Sequence, residues 1–255
     1  MNRPAETQWE AMPLSAPAYA GPPYLMSSES RAINVFYRTD PTALRREIPY
    51  PLEPDDDPMV RVMVGDMVQP PHSIAIYHEG VISVRVRFGD RRGWYTPYIW
   101  THSDEAMLVG RELYGWPKLI CDDGRLTFVG NQIFGEIRRR GELLVRVSFQ
   151  VTSPPPGRRD VPEEERLKNI LLGSDLLQVR YFPSPEKNGR PLRQVVLIKL
   201  EDVQIAEIWG GNATVELFPS GAYPNLHRLV CLEPVYACYV RPQFILPHGQ
   251  VLWEE

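Results

Sequence analysis

Cysteine is scarce in this chain, with three among 255 residues, no C-x-x-C pair and no zinc-ligand spacing. That excludes a disulfide-stapled scaffold and a cysteine-rich metal fold, and it fits a reducing cytoplasm. Long apolar runs are missing too. No stretch approaches the roughly 18 residues needed to cross a bilayer, and the amino terminus has no apolar signal core, so neither secretion nor a membrane span is expected. Basic charge is not in excess, since 28 Lys and Arg face 32 Asp and Glu for a net charge of −4. A nucleic acid or an anionic membrane is therefore not an expected partner. Arg91-Arg92 and Arg138-Arg139-Arg140 adjoin glycines and read as solvated hairpin ends, with no interleaved aromatics to suggest RNA binding. The G-x-G-x-x-G, Walker A, H-E-x-x-H and G-x-S-x-G patterns are all absent. The five histidines show no ligand spacing. These absences predict an activity without a metal or an organic cofactor.

Proline, by contrast, is plentiful: 26 residues, about twice the ordinary share. It favours many short strands over long helices. Alternation marks strands at Ile33–Tyr37, Met59–Val68, Ser73–Phe88 and Trp94–Thr101. Further strands are predicted at 125–128, 132–138, 143–151, 176–182, 192–200, 203–207, 213–217 and 235–240, with a loop at 153–157. Asp40-Pro41 reads as the start of a short helix, as does Ser103 followed by Asp104 and Glu105. The second helix should run to Tyr114 and stop at Gly115. Residues 163–172 form a third helical candidate. Residues 1–25, rich in Pro and Ala, read as an extended arm, either frayed or packed on a neighbouring subunit. The rest shows no repeat and no linker, so residues 1–255 are read as a single domain.

One lysine, Lys118, sits in the apolar run Leu113-Tyr114-Gly115-Trp116-Pro117-Lys118-Leu119-Ile120-Cys121. Two readings are open from these residues alone. Lysine commonly snorkels its head to water over an apolar surface. Alternatively, a lysine desolvated in a pocket becomes a neutral amine that attacks ketones to form Schiff bases.

The segment Gly110-Arg111-Glu112-Leu113-Tyr114-Gly115-Trp116-Pro117-Lys118 resembles the signature of the acetoacetate decarboxylase family, in which the lysine after the proline is the Schiff-base nucleophile. The resemblance continues in order along the chain, through Ser15–Tyr19 with Gly21–Tyr24, Tyr37–Asp40, Tyr77-His78-Glu79, Glu207–Gly211 and Ile245–Pro247. It implies a mainly β fold of the α+β kind, an antiparallel barrel-like or cone-shaped sheet with a few peripheral helices. It also implies a homo-oligomer and a small keto acid as substrate. By the same resemblance Lys118 is the catalytic nucleophile and Glu79 a proton relay. His78, next to Glu79, should face the other side of the strand. Arg31 becomes a carboxylate binder if the register shifts by one residue. Met63, Tyr114, Trp116 and Leu119 line the implied substrate site.

Two positions depart from the family's pattern. Leu119 stands where a second lysine is usual, and Met63 where a carboxylate is usual. Loss of both suggests that the two charges neutralise one another in the family, because removal of one alone would strand a buried charge. Leu119 and Met63 are therefore expected to approach one another. Lys118, with a reference pKa of about 10.4, is expected to be brought down by desolvation alone. The resemblance implies a cofactor-free lyase that decarboxylates a β-keto acid, acetoacetate-like or bulkier. Aldolase or dehydratase chemistry on pyruvate or another 2-keto acid, through the same lysine, is the alternative. A non-catalytic binding protein that kept the pocket is a third reading.

Overall fold

A computed structural model describes residues 9–69, 76–153, 161–172 and 174–255. Strands carry the described chain. They are β1 (Tyr24–Met26), β2 (Arg31–Arg38), β3 (Glu53–Pro54), β4 (Met59–Val68), β5 (Ile76–Phe88), β6 (Arg91–Thr101), β7 (Lys118–Ile120), β8 (Leu126–Val129), β9 (Gln132–Arg139), β10 (Glu142–Ser153), β11 (Asp175–Phe182), β12 (Leu192–Ile198), β13 (Glu201–Leu217), β14 (Glu233–Leu246) and β15 (Gln250–Glu254). They join one sheet in the order β15-β12-β11-β6-β5-β4-β2-β14-β13-β10-β9-β8, with β1 on β14, β3 on β5 and β7 on β6. Pairing is antiparallel except where β11 and β7 run parallel to β6. The sheet curls until β9 crosses the outer face of β4 and β5. A Cβ built on Gly80 would lie 2.3 Å from Ile137 Cγ1, and one on Gly135 would lie 2.8 Å from Val64. Glycine at both positions permits that close approach.

Period-2 alternation divides the central strands between two cores. Ile33, Val35, Val60, Val62, Val64, Ile82 and Val84 enter the larger core, where the curled sheet packs on itself. Ala32, Phe36, Met59, Met63 and Val81 face the other way and meet Leu167 and Leu171. Both faces are apolar, as in strands covered on both sides.

The helices are short and locally specified. Asp40 caps α1 (Pro41–Arg46) by accepting from Ala43 N at 2.8 Å, with Pro41 in the first turn. Ser103 caps α2 (Asp104–Val109) by accepting from Ala106 N at 3.2 Å. The helix then widens into a π-helical turn over Gly110–Tyr114 and stops at Gly115, whose φ of 77° suits glycine. α3 (Val161–Leu167) continues into a second such turn over Lys168–Leu172.

Several sequence expectations differ from the structure. The two strands expected at 203–207 and 213–217 are one, β13, because Gly210 and Gly211 sit within it. A Cβ on Gly211 would lie 2.2 Å from the Gln150 carbonyl, so this glycine marks a close strand approach and not a turn. From Trp9 onward the amino-terminal arm packs on its own chain. Tyr19 donates to Glu112 Oε2 at 2.6 Å, and the Trp9 ring lies 6.3 Å from that of His248. Strand β5 is described from Ile76, and the start expected at Ser73 and the loop after Ser153 lie outside the described residues. Cys121, Cys231 and Cys238 form no disulfide among the described residues. Among the described residues no helix is long and apolar enough to cross a membrane.

Candidate active site

The inner face of the sheet, α2 and the segment from α3 into its π-helical turn enclose a cavity of about 150 Å³. Register places its functional side chains in rows across the strands. Asn34 pairs with Met63, Met63 with Val81, Val81 with Ile99, and Ile99 with Lys118. All five line the cavity. One pleat to one side on β5 is Glu79, and one pleat to the other is Ser83, which pairs with Arg61.

Lys118 is the first residue of β7, delivered by the π-helical turn and Pro117. It is buried, and its Nζ donates to Glu79 Oε1 at 2.5 Å. The ammonium also lies 5.4 Å from the centre of the Tyr77 ring and 5.6 Å from that of Trp116, within cation–π range. Burial, and then the Glu79 charge, push the Tyr77 hydroxyl well above its ordinary range. A Cβ at Gly110 would lie 2.6 Å from Lys118 Cδ, so the glycine leaves room for the lysine stem. Arg111 Nη1 donates to the Lys118 carbonyl at 3.3 Å and holds the backbone. Tyr114 is buried against Trp116, with ring centroids 5.0 Å apart, and donates to the Pro247 carbonyl at 2.8 Å.

Of the residues singled out from sequence, Lys118, Glu79, Met63, Tyr114 and Trp116 meet at this cavity. Leu119 and Arg31 do not line it. Leu119 is one residue past Lys118 on a strand, so it turns to the larger core, beside the row of Trp100. The expected approach of Leu119 to Met63 therefore does not occur, because the two occupy opposite faces. Arg31 lies on the outer face of β2, where its Nε donates to Asp66 Oδ2 at 2.8 Å and its guanidinium stands 5.0 Å from the Phe128 ring centre. Arg38, at the end of β2, bonds Asp57 and Glu233. His78 faces away from the cavity, 2.8 Å from Asp66 and stacked on His102. Desolvation by apolar neighbours alone also needs correction, since Glu79 gives Lys118 a charged partner.

Arg61, Asn34 and Tyr77 line the cavity and were missed as site residues. Arg61 did leave a signal. It shares parity with Met59 and Met63 in a strand whose other face is valine, and an arginine in a doubly covered strand is rarely solvated. Its Nε donates to Asn34 Oδ1 at 2.8 Å. Burial lowers the Arg61 guanidinium to about 10, against the raising effect of Glu79.

The acetoacetate decarboxylase family model matches residues 11–255. The chain belongs to the acetoacetate decarboxylase family. It is an enzyme of the lyase class. The acetoacetate decarboxylase of Clostridium acetobutylicum is 28% identical over 251 residues, covering 95% of this chain and 94% of the relative. Acetoacetate decarboxylase 1 of Mesorhizobium japonicum is 29% identical over 249 residues, covering 95% and 93%. Among solved structures, an acetoacetate decarboxylase superposes with a TM-score of 0.82 at 24% identity, covering 98% of this chain and 96% of that one. The enduracididine biosynthesis enzyme MppR, complexed with the condensation product of pyruvate and imidazole 4-carboxaldehyde, superposes with a TM-score of 0.77 at 22% identity, covering 98% of each. These two superpositions speak to the fold: a curved, mainly antiparallel sheet with few helices.

Proposed function

We propose that this enzyme decarboxylates a β-keto acid through a Schiff base on Lys118, with Glu79 as the proton relay. The observation that carries the reading is the buried Lys118–Glu79 pair at 2.5 Å, set in a mostly apolar cavity. In the cycle, the Lys118 amino group adds to the ketone carbonyl and water leaves, giving an iminium. The bond from the neighbouring carbon to the carboxylate breaks, its electron pair moves to the iminium nitrogen, and CO2 departs from an enamine. The enamine carbon takes a proton, relayed from solvent by Glu79. Water then hydrolyses the iminium and releases the ketone, and the Lys118 ammonium returns to the amine by giving Glu79 back the proton that Glu79 supplied for the loss of water. The net reaction consumes one proton and conserves water. A carboxylate within hydrogen-bond reach of the reacting nitrogen suits such a relay.

The cavity supports a substrate bulkier than acetoacetate. A water needs about 10–15 Å³ on this measure, so there is room for on the order of ten. Leu167, Leu171 and Leu176 line the cavity and offer apolar contact to a substituent of the substrate.

Borohydride trapping with acetoacetate, a branched β-keto acid and pyruvate tests the reading. The expected result is a reduced adduct on Lys118 that has lost the mass of CO2, absent in Lys118→Ala. An adduct with pyruvate alone that keeps its carboxylate, and grows when an aldehyde is added, would replace decarboxylation by aldol chemistry. Labelling spread over surface lysines would remove Lys118 as the nucleophile.

A further inference from the structure

Three charged side chains line the cavity among the described residues: Lys118, Arg61 and Glu79. Two cations thus share one carboxylate. Lys118 Nζ takes Glu79 at 2.5 Å. Arg61 has one hydrogen-bonded acceptor among the described residues, the neutral Asn34 amide, and uses only Nε to reach it. Its terminal amino groups are left to whatever occupies the cavity. Arg61 retains some accessible surface, and because it lines the cavity on the inner face of β4, that surface opens inward. An enclosed guanidinium without a counter-charge is costly, and a planar fork of donors is the group best shaped to take a carboxylate by two parallel bonds.

The neighbourhood fits an anion. Ser83, opposite Arg61 on β5, is paired with Thr96 through their hydroxyls at 3.0 Å, and both line the cavity. Glu79 is held by Lys118, and Asp66 faces the outer surface with Arg31 and His78. Arg31, the arginine singled out from sequence as a carboxylate binder, is on that outer face.

We infer that Arg61, held by Asn34, binds the carboxylate of the substrate and is the residue that selects acids over uncharged ketones. The inference rests on the proposed keto acid substrate, but it is tested without the imine. Bound by Arg61, the carboxylate lies on the opposite side of the reacting carbon from Glu79. The bond to be broken is thereby oriented relative to the iminium while the carbonyl meets Lys118.

The test is calorimetric binding of isovalerate and isovaleramide, which are similar in shape, differ in charge and cannot form an imine. The intact protein should bind the acid about tenfold or more tighter than the amide, the scale of a hydrogen-bonded charge. Arg61→Gln should remove the preference. Asn34→Asp, which supplies Arg61 with an internal carboxylate and nearly conserves shape, should remove it too and covers the case of Arg61→Gln failing to fold. Arg61→Lys should keep part of it, because the charge remains and the fork is lost. No acid preference in the intact protein, or a preference unchanged in Asn34→Asp, would overturn the assignment. Trapping on Lys118 is read separately. An enzyme that forms the adduct but shows no acid preference loses only the Arg61 role. One that prefers acids through Arg61 but traps no ketone loses only the Schiff base.

Discussion

Gly110 has no side chain, and the Lys118 stem occupies the space where one would stand. Its backbone is ordinary helix, with φ −61°, so alanine there fits the backbone and gains up to about 1 kcal/mol of helix propensity. The clash falls on Cδ and Cε of a flexible side chain, which gives way more readily than backbone. Gly110→Ala is therefore expected to leave the thermal midpoint unchanged or raised while cutting borohydride trapping on Lys118 severely. Retained trapping would show that the stem has slack. Glu79→Gln keeps the shape and removes the charge beside Nζ. Initial trapping should persist more than turnover does, because the relay is needed again to protonate the enamine. Measuring adduct yield and CO2 release on the same sample separates the two. The apolar run around Lys118 left two readings open, so Lys118 was singled out through the resemblance of residues 110–118 and Glu79 through the Tyr-x-Glu resemblance. Arg61 was harder to read, since its partner Asn34 comes from another strand and sequence spacing carries no trace of that pairing.

The sheet's alternation explains at the level of elements why one residue step decides a role. Lys118 and Leu119 are adjacent, yet one lines the cavity and the other joins the larger core. The charged positions that the family pattern shows at 63 and 119 thus lie on opposite faces of this sheet, and a direct pairing between them is not available here. Strand packing gives a sharper test at Gly80, where β9 seats Ile137 against β5. Gly80→Ala should destabilise the protein by about 1–3 kcal/mol, the usual penalty of overpacking. Ile137→Ala should cost its own cavity penalty, and the double variant should cost clearly less than the sum. Denaturant midpoints of the four proteins measure that coupling, and strict additivity would mean that β9 does not rest on Gly80. Strand spans such as Met59–Val68 were readable because their branched residues alternate. The joining of 203–207 to 213–217 was not, because a glycine pair looks the same in a turn as in a strand that another strand approaches closely.

Across the whole molecule, the cavity exists because one sheet curls and a helical segment closes its inner face. Leu167 and Leu171 come from that segment, far in sequence from Lys118, and line the cavity in one apolar cluster with Met63, Val81 and Ile99. Leu171→Trp should therefore lower kcat/KM for branched or long β-keto acids while sparing acetoacetate, measured as CO2 release across a homologous series. A uniform loss over the series would place Leu171 outside the substrate's reach. By itself the sequence determined the β-rich class, the caps of α1 and α2 and the Gly115 stop that precedes Lys118, because each depends on neighbours within a few residues. The tertiary structure alone decided which face each strand turns inward. It paired Glu79 with Lys118, removed Arg31 and Leu119 from the cavity and brought Arg61 into it, because those relations arise from strand register and sheet curvature between segments distant in the chain.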